Sequence, residues 1–321
     1  MEIPKSNKSG FRQYLEGKGL APLTQEQYLL ALQLFFNRVK KEDLQVAKPD
    51  ILKHLEYLKK RRGLQNITRN NHLIALNHYF TYLYKDGQTN TNPCLLLKIR
   101  GKRKKTLHKI YTPEELETLF DNYHLLFVRN YDDSRHRHEV QRHYSRLYRE
   151  RNALIVSILF NQGTSTSEIE KIETGDVDLI KATLKIQGGK RGKDRVLPLK
   201  ATQIGLFINY MQNIRPQLLE YQSRESDKLF LPLPAISYKK TENDMARGVF
   251  TPLSTQIKTI DKQFINFQQI RASVITFWIK TQGLRKAQYL AGHRCICTTE
   301  KYVANDLENL IDDINKLHPF L

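Results

Sequence analysis

Tyr302 lies nine residues after His293, in the runs L-A-G-H (Leu290–His293) and T-T-E-K-Y (Thr298–Tyr302). A tyrosine hydroxyl can serve as a nucleophile that forms a covalent intermediate, and a histidine can donate a hydrogen bond to an oxyanion. Upstream, Gln268-Gln269-Ile270-Arg271 offers a guanidinium, whose planar fork can grip two oxygens of one anion at once. Earlier still, G-G-K-R-G-K-D-R-V-L-P-L from Gly188 sets Lys190, Arg191, Lys193 and Arg195 about a turn, where a lysine can act as a general acid. The series begins with Gln162-Gly163-Thr164-Ser165-Thr166-Ser167-Glu168, followed by Gly175-Asp176-Val177-Asp178. Singly, each has a plain structural reading. A tyrosine on a C-terminal helix packs, a lone arginine makes an ion pair, a histidine after glycine caps a turn, and hairpin lysines are solvated charge. Their joint order and spacing set them apart.

The elements that must carry these residues form a mainly α fold with a small antiparallel β-sheet (α+β). Alternation in A-T-L-K-I-Q and R-V-L-P-L, around the glycine-containing tip, predicts a β-hairpin. Helices are expected at Asn152–Phe160, near 202–219, 253–263, 269–281 and 284–291, with an amphipathic tail at Asn305–Leu317. Before them stands Thr112-Pro113-Glu114-Glu115, with a cap, an N1 proline and first-turn acids in helix-starting order. The first hundred residues predict four helices. These are a short piece around Phe11–Leu15, then stretches capped by Thr24 (with Gln27), Asp50 and Thr68, the last two ending at Gly63 and at Asp86-Gly87. Between the two parts, K-I-R-G-K-R-K-K-T-L-H-K (98–109) holds seven Lys and Arg and almost nothing apolar. The expected division is therefore 1–97, a basic linker at 98–111, and 112–321.

Composition narrows the partners. The chain of 321 residues has 40% hydrophobic and 10% aromatic residues, so a packed protein is expected. The N-terminal M-E-I-P-K-S-N-K-S-G-F-R-Q-Y-L lacks the apolar core of a signal peptide, and runs such as Ala153–Phe160 are too short to span a bilayer. Cys94, Cys295 and Cys297 are too few for a disulfide framework, which favours a soluble protein of a reducing cytoplasm. A formal charge of +19, from 52 Lys and Arg against 33 Asp and Glu, points to a polyanionic partner, nucleic acid first.

With these motifs in view, the chain resembles the tyrosine recombinase (phage integrase) family. That family's catalytic domain carries T-G-L-R-x-S-E, a hairpin G-K-G-x-K-x-R-x-x-P-L, H-x-L-R, L-G-H and then a tyrosine. The resemblance covers about residues 110–305, and the helical N-terminal part is similar to the family's core-binding (SAM-like) domain, including T-Q-E-Q-Y and Asn92-Pro93. It implies a DNA strand transferase that needs neither cofactor nor metal, because a phosphotyrosyl ester conserves the energy of the broken phosphodiester. Tyr302 would take up the 3′-phosphate while Arg271 and His293 bind its oxygens. Lys190, or Lys193 if the turn carries one more residue, would protonate the departing oxygen. The linker cations Lys102, Arg103, Lys104 and Lys105, with Lys193 and Arg195, would contact DNA. The partner is then double-stranded DNA, held in a C-shaped clamp by a homotetramer on two duplexes, with a monomer in its absence and the tail packed on a neighbour or on its own domain.

Two positions depart from the family. Its first arginine falls on Ser165, which supplies no charge, and its H-x-L-R histidine falls on Gln268, which still donates a neutral hydrogen bond. Loss of one such donor costs roughly 10²–10³-fold in rate unless something replaces it. Arg191 at the hairpin tip is the expected replacement, and some integrases of bacterial conjugative elements are similar in lacking that arginine. A mobile element is the setting this suggests. The alternative is a DNA-binding accessory or regulatory protein with a degenerate site, and a type IB topoisomerase is a third reading.

Other signals carry less. His138-Glu139-Val140-Gln141-Arg142 begins like H-E-x-x-H but ends in arginine, which removes the zinc-protease reading. His136, His138 and His143 lie in a polar insertion over 121–150. Its Arg135, Arg137, Arg142, Arg146, Arg149 and Arg151 offer a DNA contact. His293, Cys295 and Cys297 lack the distant ligand pair of a zinc site.

Overall fold

In the computed structural model the described residues are 5–101, 109–132, 134, 138–189, 192–220, 226–231 and 245–303. They divide into two units, Met1–Thr106 and Leu107–Leu321, a boundary inside the expected linker. The cations Lys102–Lys105, the hairpin-tip residues Lys190 and Arg191, Arg135, His136 and Arg137, and the tail from 304 lie outside the described residues.

Among the described residues the N-terminal unit contains four α-helices, α1 (Lys5–Gly17), α2 (Pro22–Val39), α3 (Lys48–Lys60) and α4 (Asn66–Lys85). The helices α2, α3 and α4 each begin two residues before the cap read in the sequence, and for the first two the reason is local. Pro22 and Pro49 sit in the first turn and fix a helical φ there, so the N-caps of α2 and α3 are Ala21 and Ala47. Thr24 is consequently inside α2, and Asp50 closes the first turn of α3 by accepting from the Ala47 backbone N–H at 3.0 Å. Thr68 likewise lies inside α4. The aromatic stripes are core, as their spacing implied: Phe11, Phe35, Phe36, Tyr79 and Phe80 interdigitate with Leu15, Leu32, Ile51 and Leu76.

The C-terminal unit is built on two long helices, α6 (Glu139–Gln162) and α11 (Phe267–Ala291). The helix α5 (Pro113–His124) starts as the sequence predicts, with Thr112 Oγ1 accepting from Glu115 N–H and Glu115 returning the bond to Thr112 N–H. The polar stretch before residue 152 is not a loose insertion. It belongs mostly to α6, and Arg149 and Arg151 are buried there. Arg151 donates to the Leu231 carbonyl and to Asn152, while Arg149 stacks over Tyr131 at 3.9 Å, so neither is a surface DNA contact. A three-stranded antiparallel sheet runs β1 (Val177–Asp178), β2 (Thr183–Ile186), β3 (Arg195–Pro198). Register pairs Leu184 with Leu197 and Ile186 with Arg195, and strand alternation turns Arg195 and Leu197 inward. The remaining helices are α7 (Thr166–Ile169), α8 (Ala201–Asn209), α9 (Arg215–Glu220), α10 (Thr251–Ile260) and α12 (Ile296–Val303). The expected helix break between 281 and 284 occurs at Gly283, with φ 78° inside α11.

No helix among the described residues is long and apolar enough to cross a membrane. Cys94 is buried and free, while Cys295 and Cys297 are joined to each other, a local exception to the expected absence of disulfides. Among the described residues no group of His, Cys, Asp and Glu could hold a metal ion.

One buried histidine makes the N-terminal unit sensitive to acid. His54 is fully buried edge-on to Phe35, and neither ring nitrogen has a partner. Burial, then the nearby His72 and Arg38, push its pKa from 6.5 down to about 4. The unfolded chain therefore takes up the proton first as pH falls. The stability that neutral His54 allows is complete above 6.5 and is lost towards about 4. On the order of 3 kcal/mol is at stake. Thermal melting of the whole chain between pH 7 and 4.5 should fall more steeply for wild type than for His54→Leu, and equal slopes would refute this assignment.

Candidate active site

The site is organised around Glu168. The helix α6 stops at Gly163, whose φ of 54° suits glycine and whose absent side chain would meet Val274 at 2.9 Å. Two residues on, Ser165 caps α7. Its Oγ accepts from Glu168 N–H at 3.3 Å and donates to Glu168 Oε2 at 2.9 Å, while its own N–H donates to the same oxygen at 2.8 Å. This capping box turns the carboxylate inward. There, Oε1 accepts from Arg195 Nη1 at 2.7 Å and Oε2 from Arg271 Nη1 at 3.1 Å. Burial alone would raise the Glu168 carboxyl, but the bond from Arg195 and the charges of Arg271 and Arg195 outweigh it and hold the pKa at about 2.

Arg271 is fixed at several points. Besides Glu168 it donates to the carbonyls of Gly163 and Ala291, each at 2.7 Å, so the ends of α6 and α11 converge on one guanidinium. After Ala291 the chain turns at Gly292, with φ 69°. A side chain there would stand 2.6 Å from Arg195 Nη1 and 3.0 Å from the Lys193 carbonyl, which makes glycine necessary. The same turn docks the hairpin. Lys193 N–H donates to the Gly292 carbonyl at 2.9 Å, and Arg294 Nε donates to the Gly192 carbonyl at 3.2 Å. The hairpin thus lies beside His293.

His293 and Tyr302 face each other. Their rings stack at 5.7 Å and 15°, and His293 Nδ1 lies 3.0 Å from Thr299 Oγ1, a buried hydroxyl one turn before Tyr302 on α12. Burial first, then the positive Arg271 and Arg195, push the His293 pKa to about 4, so the ring is neutral at neutral pH. The Tyr302 hydroxyl accepts from Gln268 Nε2 at 3.4 Å and lies within electrostatic reach of the Arg271 guanidinium.

The structure therefore gathers Ser165, Gln268, Arg271, His293 and Tyr302 into one cluster. Lys193 is exposed beside it, and Lys190 and Arg191 are outside the described residues. Arg195 differs from expectation. Only 2% exposed and paired with Glu168, it is no surface DNA contact, because the alternation of β3 carries it inward opposite Ile186. Two contributors have no role in the sequence reading. Glu168 carried a signal, since S-x-x-E is a capping box. Thr299 carried none, because its pairing with His293 depends on how α12 folds back.

Residues 136–309 match the model of the phage integrase family, and residues 9–89 match the N-terminal SAM-like domain of phage integrases. The first match spans more than half of the 321 residues, and the chain belongs to the phage integrase family. It is a site-specific tyrosine recombinase. The tyrosine recombinase XerC of Pelotomaculum thermopropionicum is 24% identical over 314 residues, covering 94% of both chains. The tyrosine recombinase XerD of Staphylococcus saprophyticus is 30% identical over 175 residues, 54% of this chain and 55% of its own. Among solved structures, the XerH recombinase bound to a palindromic difH substrate superposes with a TM-score of 0.64 at 20% identity, over 94% of this chain and 81% of that one. The Tn1549 transposon integrase in complex with circular-intermediate DNA gives 0.58 at 15% identity, over 97% and 99%.

The carboxylate at the centre sets a measurable cost. Glu168→Gln leaves two buried guanidiniums without their counter-ion and should destabilise the chain by roughly 3–5 kcal/mol in urea unfolding at pH 7. Because the folded pKa is depressed, the wild-type advantage is complete above 4.5 and should shrink as pH falls towards about 2. A variant as stable as wild type at pH 7 would contradict this.

Proposed function

We propose that the chain cuts and rejoins double-stranded DNA through a 3′-phosphotyrosyl intermediate at Tyr302. The observation that carries the proposal is the Tyr302 hydroxyl within 3.4 Å of Gln268 Nε2 and its ring stacked on His293, beside the Arg271–Glu168 pair. The tyrosine oxygen gives its own proton to solvent as it attacks phosphorus, the P–O5′ bond breaks, and the 5′-oxygen leaves with a proton supplied by the hairpin lysine. Arg271, already oriented by Glu168 and two carbonyls, binds a non-bridging oxygen without reorganising. Neutral His293 and Gln268 add uncharged hydrogen bonds. Lys190 on the hairpin is the general acid, with Lys193 as its alternate. Attack of a new 5′-hydroxyl on the phosphotyrosyl ester reverses the same steps and joins a different strand.

Lys102–Lys105, with the overall excess of positive charge, supply sequence-independent affinity for the DNA backbone. The chain is a monomer when free and acts as a homotetramer on two duplexes, in the service of a mobile element. The structural likeness to a transposon integrase and the variant Ser165 both favour that setting.

Nicked duplexes drawn from the DNA flanking the gene test the reading on a denaturing gel. Wild type should give a covalent protein–DNA band, and Tyr302→Phe should bind the same DNA with no band. If both bind tightly and neither gives a band, the chain is a DNA-binding protein with a degenerate site.

A further inference from the structure

We infer that Arg195 supplies the second positive charge at the scissile phosphate, the charge that Ser165 does not provide. The inference rests on the recombinase reading and adds a residue to it. Arg271 alone cannot give the site a net charge, because Glu168 is bonded to it at 3.1 Å and offsets it. Arg195 is bonded to the other oxygen of the same carboxylate at 2.7 Å. One carboxylate between two guanidiniums leaves the buried Glu168–Arg195–Arg271 cluster a single positive charge. A neutral residue at 195 would leave that cluster none. His293, neutral at neutral pH, adds nothing to the sum.

Three features show that Arg195 is more than a counter-ion. Its Nε and Nη2 are buried without any partner, although leaving a buried guanidinium N–H unpaired is costly. Its Nη1 lies where a Gly292 side chain would stand, next to His293, so the guanidinium borders the cluster that holds Tyr302. Its field also reaches both Arg271 and His293. Ser165 is bonded to Glu168 through both its N–H and its Oγ, so the position that lacks an arginine and the one that replaces it meet at the same carboxylate. Arg195 moves no proton and forms no covalent bond. It neutralises charge on the non-bridging oxygens while the P–O5′ bond gives way to the Tyr302–P bond, and in the low dielectric of a buried site that charge acts without direct contact.

The test uses the full chain on nicked duplexes whose scissile phosphate is either normal or replaced by a methylphosphonate, which has no charge to neutralise. Two variants are compared, Arg195→Met and Arg195→Gln. Glutamine keeps a hydrogen bond to Glu168 and so serves if methionine prevents folding. On the normal phosphate both should form the Tyr302 adduct about 100-fold more slowly than wild type. On the methylphosphonate they should come within about tenfold of wild type. A variant equally slow on both substrates would reduce Arg195 to a structural role. A variant as fast as wild type on the normal phosphate, or rescue found for Arg191→Ala and not for Arg195, would overturn the inference. Wild type that forms no adduct on either substrate would instead refute the recombinase reading itself.

Discussion

A single carboxylate held between two buried guanidiniums constrains the rest of the C-terminal unit. Glu168 could not be largely withdrawn from water in its ionised form without partners, and neither Arg195 nor Arg271 could be buried without Glu168. Each partner comes from a different element, namely the short helix α7, the strand β3 and the long helix α11. Satisfying one set of charges therefore fixes how the three elements meet. Two glycines follow from the same requirement. Gly163 lets α6 end against α11 so that its carbonyl reaches Arg271, and Gly292 makes room for the Arg195 guanidinium.

Preorganisation is the functional consequence. Arg271 has its bonds to Gly163, Ala291 and Glu168 in the free protein, so its orientation costs nothing further when a phosphate arrives. His293 is set by Thr299 on the helix that also carries Tyr302, which links the donor and the nucleophile in one rigid turn. The hairpin is tied to this turn by the Lys193 N–H bond to the Gly292 carbonyl and by Arg294 Nε on the Gly192 carbonyl. These arrangements are made by backbone and buried charge together. Exposed lysines would be too poorly fixed for such a purpose.

Much of this was legible in the sequence because the motifs are local. The order Ser165, hairpin, Arg271, His293, Tyr302 survives in one dimension, and the Thr112 capping box and the Gly283 break announce themselves within a few residues. Helix starts were less legible at Pro22 and Pro49, where a fixed φ outweighed the more familiar caps at Thr24 and Asp50. Composition misled over 121–150, since Arg149 and Arg151 look solvated until the Leu231 carbonyl, Asn152 and Tyr131 are seen to receive them. Arg195 misled for a similar reason. Amid hairpin cations it reads as surface charge, and only its phase in β3 and the distant Glu168 show that it is buried.

The central claim is that Tyr302, among sixteen tyrosines, is the one placed for attack. Trapping the protein on a nicked duplex, digesting both components and mapping the remaining nucleotide by mass spectrometry tests it most directly. The expected product is a nucleotide-bearing peptide that contains Tyr302, linked through a 3′-phosphate. An adduct on another tyrosine, or a linkage to the 5′-phosphate, would contradict it.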